Sequence, residues 1–415
     1  MTVQRVHYGL VVLALIVLAV FGSLGLARFG YTSILPAMQD GLKLTNTQAG
    51  ELQSWNLLGY VLTAVFAGLL ATRYSPRIVI STSLLLTGLA MILTGLFPTF
   101  DGARVGRFLT GVGGAGGNVP AMALVSAWFG VRRRGLASGT AVGGSSLGLV
   151  VTGPLIPAIL SRYGPEGWRV CWYVLGFMAI GICVLCALLL RDRPEEQGLT
   201  PLGETEADRA RRGASRPNPS FEWAQVCKSG VLWHLAAVYF AFGFSYVIYA
   251  TFFIRYLVGE VGFTARDAGL LWLQVGLVSG VSGFLWGGIS DRWGRRVALV
   301  GVFLLQGASF IVFGLGQAVP VVYLSAALFA ITAWSVPALM AALAGDVFGA
   351  RLVPTALGLM TVVFGIGQAI GPVLAGRIAD AAHSFAPAFL TAGAVALLLG
   401  AGGSTLLRPR PQGDG

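Results

Sequence analysis

The chain has 415 residues and a formal net charge of +11, yet 55% of its residues are hydrophobic and only 11% are charged. A soluble domain carries about 25% charged residues, so a protein bathed in water on every side is excluded. Apolar runs of about 20 residues recur along the whole length, each long enough to cross about 30 Å of hydrocarbon. The composition therefore describes an all-α integral membrane protein whose solvent is the lipid bilayer.

Arg5 precedes the first apolar run, but no cleavage-like break follows it and many further spans do, so the run is read as helix 1 and not as a signal peptide. Helix 1 is expected at about 9–37, ended by Pro36 and the polar stretch after it. Helices 2 to 6 follow at about 47–70, 78–97, 103–128, 135–160 and 168–190, completing a first six-helix bundle over residues 1–190. From Arg191 the chain turns polar, charged and proline-bearing, which marks 191–230 as a cytoplasmic linker with at most a short surface helix. Helices 7 to 12 follow at about 231–257, 266–289, 297–316, 321–345, 354–379 and 386–407. They form a second bundle over 231–407, and residues 408–415 are left as a cytoplasmic tail.

The basic residues are sorted by loop. Arg5, Arg73, Arg77, Arg132, Arg133, Arg134, seven residues of the central loop, Arg292, Arg295, Arg296, Arg351, Arg408 and Arg410 all fall on one side if the amino terminus is inside. That bias fixes the orientation with both termini cytoplasmic, and it argues against nucleic acid as the reason for the positive charge. Cys171, Cys183, Cys186 and Cys227 make no disulfide framework. Cys183 and Cys186 do form a CxxC, but inside the apolar run of helix 6, where neither redox nor metal chemistry is expected.

A repeat runs through the chain. GGISDRWGRR, from Gly287 to Arg296, is a charged turn between two apolar segments, and 219 residues earlier stands a second such turn, GLLATRYSPR, from Gly68 to Arg77. The same offset pairs Gly269 with Gly50, Gly358 with Gly139 and Gly367 with Gly148. A repeat of about half the chain means two copies of one unit, and in a membrane protein that points to a transporter. RVGRFLTGVGGAGGNVP, from Arg104 to Pro120, sets Arg107, Gly111, Gly114 and Asn118 on one face of helix 4. Its GxGxxG follows no strand, so a dinucleotide site is not expected. Helix 11 carries Gly358, Gly367, Gly371, Pro372 and Gly376, and helix 5 carries Gly139, Gly148, Gly153, Pro154 and Pro157.

These stretches resemble the signatures of the major facilitator superfamily. Gly287, Asp291, Arg292, Gly294, Arg295 and Arg296 match its cytoplasmic loop motif G-x-x-x-D-R-x-G-R-R, which the resemblance makes a conformational latch, with Asp291 accepting from Arg or from a neighbouring helix amino terminus. The first copy departs from it, since Thr72 replaces the aspartate and Ser75-Pro76 replaces Gly-Arg, so the latch is expected at Asp291. Gly148, Gly153 and Pro154, with Gly367, Gly371 and Pro372, look like the superfamily's glycine-proline motif and are read as packing at a gate. WFGVRRRGLASGTAVGGSSLG, from Trp128, and GWRVCW before helix 6 are similar to the monocarboxylate and oxalate-formate branch. LARFGYTSILPAMQDGL and SWNLLGY look more like bacterial YbfB/YjiJ-type transporters. The resemblance implies twelve helices in two pseudo-symmetric six-helix bundles, alternating access, a bacterial cytoplasmic membrane and a monomer.

A charge in the hydrocarbon zone is expensive and usually faces something it serves. Arg28 lies deep in helix 1, eight residues before Pro36, with no acidic residue within a helical turn. A similar spacing in organophosphate-type members of the superfamily supports Arg28 as the anchor of a carboxylate or similar anion. An Arg reaching the interface, or paired with Glu51, is the structural alternative. The resemblance brings helices 1, 4, 7 and 10 to a cavity and nominates Tyr31, Tyr246 and Tyr249, the last expected opposite Arg28. Gln53, Asn56 and Tyr60 form a polar stripe on helix 2, and Asn118, Gln274, Trp334 and Gln368 complete the substrate-binding candidates. Each aromatic among these can equally be packing. Arg255 reads as interfacial, and Asp346 and Asp380 as helix-end residues.

Monocarboxylate-type transporters place a binding Arg in helix 8, and this helix 8 has none inside, so the resemblance to that branch does not carry over lactate-like specificity. Glu51 and Arg107 are the candidates for coupling to a proton or other co-transported ion, a coupling that the resemblance implies. No nucleotide loop is present, and His7, His234 and His383 are far apart, so neither an enzyme nor a cofactor or metal site is expected. The reading is a secondary transporter of a small organic anion, with an efflux pump for amphipathic compounds as the alternative suggested by the abundance of Trp and Phe.

Overall fold

The computed structural model describes residues 7–205 and 226–407. The stretch 206–225 of the expected linker, the tail 408–415 and Arg5 lie outside the described residues. Almost everything described is helical, because hydrocarbon offers the backbone no partners and a helix satisfies its own N–H and C=O groups. The spans are α1 (Tyr8–Leu42), α2 (Asn46–Tyr74), α3 (Pro76–Leu96), α4 (Phe100–Trp128), α5 (Val131–Tyr163) and α6 (Gly167–Leu189). They continue as α7 (Gly230–Val261), α8 (Ala265–Trp293), α9 (Arg295–Leu315), α10 (Val319–Gly349), α11 (Thr355–Ala382) and α12 (Ala386–Thr405). The continuous apolar run Arg132–Leu189 is 58 residues long, enough for two crossings, so the described helices are compatible with the expected twelve.

The offset of 219 carries through to the element ends. Asn46 and Tyr74 map onto Ala265 and Trp293, Pro76 and Leu96 onto Arg295 and Leu315, and Phe100 onto Val319. It also relates the left-handed backbone positions. Lys43 (φ 53) pairs with Gly262 (φ 85), Ser75 (φ 128) with Gly294 (φ 91), and His383 (φ 54) with Gly164 (φ 63). Each pair needs a positive φ, which only glycine adopts without strain, and in each pair one copy has kept the glycine.

Two compact units are present. The first holds the helices of the amino-terminal half together with Thr264–Gly276, and the second holds those of the carboxy-terminal half together with Thr45–Gly50. In the first, a wide-turned π-helical segment of α1, Phe21–Phe29, packs on α5. A methyl at Gly25 would stand 2.9 Å from Gly148 Cα, so the two backbones touch. The repeat mates behave alike in the second unit, where a methyl at Gly367 would stand 3.1 Å from Phe244 N. Gly269 lies on the Gly153 carbonyl in the first unit, and Gly50 lies on the Pro372 carbonyl in the second, again a repeat pair. Pro154 and Pro157 sit inside α5 without ending it.

Three features depart from expectation. Helix α1 does not end at Pro36, which lies inside Gly30–Leu42 and leaves the last turn to Lys43. A proline removes one N–H bond and crowds the carbonyl four residues back, but in hydrocarbon an interrupted helix would leave still more backbone groups unpartnered, so the chain continues as helix. Helix α8 breaks between Ser279 and Ser282, and α10 breaks between Ala330 and Ser335. The two breaks satisfy each other in the second unit: Trp334 N–H donates to Ser282 Oγ at 3.1 Å, Ser335 Oγ donates to the Ser282 carbonyl at 3.2 Å, and Trp286 Nε1 donates to the Ile331 carbonyl at 2.9 Å. The start of the linker is also fixed in place. Leu202 N–H donates to the Trp128 carbonyl at 2.8 Å, and Gly130 N–H donates to the Leu202 carbonyl at 3.1 Å, after a short turn of helix at Pro194–Gln197.

Candidate functional site

The polar side chains of the first unit converge on the π-helical part of α1. Such segments add a residue to one turn and are frequent at functional sites. Arg107 of α4 is fully buried, donating Nη1 to the Ala27 carbonyl at 2.6 Å and Nη2 to Gln53 Oε1 at 2.7 Å. Its guanidinium lies 4.6 Å from the Tyr31 ring centroid and 5.3 Å from that of Trp172, the usual seats of a cation–π contact. Asn56 of α2 donates Nδ2 to the Arg107 carbonyl at 3.1 Å, tying α2 to α4. Gly111 packs on the Asn56 carbonyl at the same place, so a small residue is what allows α4 to come this near.

Arg28 is the next residue along from the carbonyl that holds Arg107. It is 7% exposed, and its Nε and Nη2 have no hydrogen-bond partner. Its guanidinium carbon lies 4.7 Å from the Tyr60 ring centroid. The Tyr60 hydroxyl accepts from Asn118 Nδ2 at 2.8 Å. Ser23, whose carbonyl and side chain line Gly114 and Gly117 of α4, also has a buried, unpartnered hydroxyl. The expected face of Arg107, Gly111, Gly114 and Asn118 is thus turned towards α1 and α2. Glu51 is half-buried and has no ion-pair partner, so the alternative in which it neutralises Arg28 does not hold.

The candidates of the second unit form a separate cluster. Gln368 is buried and donates Nε2 to the Tyr246 hydroxyl, and Tyr246 stacks on Phe242 at 4.7 Å and meets Trp334 edge-on at 6.2 Å. Tyr249 is placed otherwise than expected: it is fully buried in the aromatic core, with Phe329, Phe313 and Phe310 within 5.1 Å of its ring centroid and its hydroxyl 2.9 Å from Ser325 Oγ. The hydrogen-bonding and packing needs of that side chain are met inside the unit, which makes it part of the core. Gln274 is exposed.

The loop motif forms an ion-pair chain. Arg295 Nη1 lies 2.6 Å from Asp291 Oδ1, and Arg295 Nε lies 3.1 Å from Asp346 Oδ2. Asp346 is therefore a partner in this chain and more than a helix-end residue. Gly294 supplies the left-handed turn (φ 91) that brings Arg295 back over Asp291. Arg292 lies over Trp293, and Gly287 has open space beside it. Arg296 is exposed. In the first copy Arg77 N–H donates to Asp192 Oδ1 at 2.8 Å instead.

A cavity of about 570 Å³ in the second unit includes Arg255, Glu260, Asp380 and His383. Of its carboxylates, Asp380 reads from sequence as a helix-end residue and Glu260 is not singled out. Asp380 accepts from the Asn46 N–H at 2.9 Å, the Thr47 N–H at 2.8 Å and the Thr47 hydroxyl at 2.6 Å, capping α2. Glu260 accepts from the Phe385 N–H at 2.7 Å and the Ser384 hydroxyl at 2.6 Å, capping α12. Both acids are spent on helix amino termini, where N–H groups otherwise lack partners.

A family model described as "Uncharacterised MFS-type transporter YbfB" matches residues 19–403. The probable sulfoacetate transporter SauU of Cupriavidus necator is 27% identical over 401 residues, covering 92% of this chain and 90% of that protein. The hexuronate transporter of Bacillus subtilis is 24% identical over 399 residues, covering 92% and 91%. A bacterial homologue of the human lysosomal transporter Spinster, in its inward-facing and unoccupied crystal structure, has a TM-score of 0.76 at 19% identity and covers 96% of both chains. At that identity the likeness speaks for the fold.

Proposed function

The chain belongs to the family of MFS-type transporters represented by YbfB, and from that premise we propose that it carries a small organic anion, with a carboxylate or similar acidic group held by Arg28. The observation that carries this reading is a buried guanidinium with two unpartnered donors and no acidic neighbour. A fixed cation in that condition costs free energy in the empty protein, and an anion supplying two acceptor oxygens removes the cost in one bidentate contact. The Tyr60 ring lies 4.7 Å from that guanidinium, and Asn118 holds the Tyr60 hydroxyl. Relatives whose names specify sulfoacetate and hexuronate, both organic acids, support the same class.

Transport by alternating access in the cytoplasmic membrane, with both termini cytoplasmic, a monomeric chain, protons as the co-transported ion and the Asp291–Arg295–Asp346 chain as a conformational latch complete the proposal. Glu51, half-buried and unpaired, is the residue assigned to carry the proton.

Ligand-induced stabilisation of the detergent-purified protein tests the anion site. A ligand at 100 times its Kd adds about 2.7 kcal/mol to the folded state. Mono-, di- and aromatic carboxylates are compared with neutral amphipaths, in wild type and in Arg28→Gln. Stabilisation by a carboxylate in wild type alone is the expected result. Stabilisation by neutral amphipaths alone, equal in both proteins, would overturn it in favour of an efflux pump.

A further inference from the structure

The charge balance around Arg28 goes a step further than the presence of an anion. Two guanidinium-bearing side chains are buried in one cluster, Arg28 at 7% and Arg107 at 0% exposure, since Arg107 Nη1 donates at 2.6 Å to the carbonyl of Ala27, the residue next to Arg28. Among the described residues, neither has a carboxylate within ion-pair distance. Among the described residues of the same unit, Asp101 pairs with Arg104 at 2.9 Å, Glu166 pairs with Arg169 at 2.6 Å, Asp192 accepts from the Arg77 backbone N–H, and Glu51 forms no ion pair.

Hydrogen bonding is out of balance in the same sense. Arg28 Nε, Arg28 Nη2 and Arg107 Nε are buried donors without acceptors. Arg107 is held by neutral groups only, the Ala27 carbonyl, Gln53 and two aromatic rings. Those contacts fix where its charge lies without cancelling it. One negative charge brought to Arg28 would leave the cluster with one cation uncompensated in a place where water cannot screen it. A second negative charge on the same molecule would close the balance.

We propose that the site selects dianions, molecules bearing two acidic groups on a short skeleton, over monoanions of the same skeleton. This rests on the anion-binding reading of Arg28. Arg28 grips one acidic group, and Arg107, anchored between Ala27 and Gln53, supplies the compensating charge for the second.

The test uses the full-length, detergent-purified chain and isothermal titration with malonate, succinate and sulfoacetate, each paired with its monoamide, which keeps the skeleton and removes one charge. Wild type is expected to bind at least one dianion roughly tenfold or more tightly than its monoamide, equivalent to about 1.4 kcal/mol. Arg107→Gln should shrink that ratio to about threefold or less, and Arg107→Lys, which keeps the charge, should retain most of it. Arg28→Gln should lose both ligands of a pair. The wild-type ratio decides the matter even if Arg107→Gln fails to fold. Monoamides or simple monocarboxylates that bind as tightly as the dianions, and lose binding in Arg28→Gln, would overturn the dianion inference and leave the anion site standing. Loss of every Arg28-dependent response would overturn both.

Discussion

Arg28→Met offers a direct way to tell a binding residue from a structural one, because the two roles predict opposite signs. Met has a similar length and no donors, so it fills the space of the Arg stem. The wild-type guanidinium leaves Nε and Nη2 buried without partners, and each such donor costs about 1–3 kcal/mol. Against this stands the contact with the Tyr60 ring at 4.7 Å, worth about 0.5–2 kcal/mol. Two such donors cost about 2–6 kcal/mol, so the balance favours the variant by up to about 5 kcal/mol. Ligand-free Arg28→Met should therefore unfold at a higher temperature than wild type in a detergent melt, while losing transport of the anion into proteoliposomes. A melting temperature clearly below wild type would refute the reasoning, since it would mean that Arg28 is satisfied by the fold and that its charge is structural.

Four further outcomes are expected. Asp380→Ala removes three hydrogen bonds from the start of α2 and should cost about 1–2 kcal/mol of stability, as lost caps do, with Asp380→Asn intermediate in the same melt. Arg295→Gln breaks an exposed chain in which Asp291 and Asp346 are 72% and 54% accessible. Such pairs contribute about 0–1 kcal/mol, so the melt should barely move, and a several-fold fall in transport rate would identify a latch. Gly25→Ala places a methyl 2.9 Å from Gly148 Cα and 3.1 Å from the Gly144 carbonyl. Backbone atoms cannot yield there, and a loss of about 1–3 kcal/mol is expected, against no change for Gly135→Ala, which meets nothing within 4 Å. His383→Gly should stabilise by about 1 kcal/mol, because it relieves a left-handed residue at φ 54.

The helices were legible because lipid leaves the backbone few choices and apolar length then sets the spans. The repeat was legible because its glycines are spaced by contacts: Gly269 on Gly153 and Gly50 on Pro372 are one contact made twice. Pro36 misled because the rule that proline ends helices assumes water to solvate the broken turn. The breaks in α8 and α10 were hidden because each is stabilised by the other, through Ser282, Trp334 and Ser335, and nothing local announces it. Arg28 was legible as an isolated charge in an apolar run, and its lack of a partner is what gives that reading force. Tyr249 was not, since a tyrosine in a core and a tyrosine in a site look alike until Ser325 is seen at its hydroxyl. Asp380 was legible only as a helix-end residue and Glu260 was missed, because the groups they cap are backbone N–H groups, which sequence does not display.

The repeat also separates what the fold needs from what has been added to it. The offset of 219 places Val247 at the position of Arg28, Ala250 at Tyr31, Trp272 at Gln53, Val275 at Asn56 and Ala326 at Arg107. All five are buried and apolar. The backbone contacts on either side are shared by both copies, as Gly25 with Gly148 and Phe244 with Gly367 demonstrate. The same helix framework thus packs with hydrocarbon at every one of these positions in one copy and with two cations and their amide supports in the other. Buried charge is costly wherever it lacks a counter-ion, so packing alone gives no reason for it. The polar cluster sits on one copy because something other than stability requires it there, and the anion site proposed at the unpartnered Arg28 supplies such a requirement.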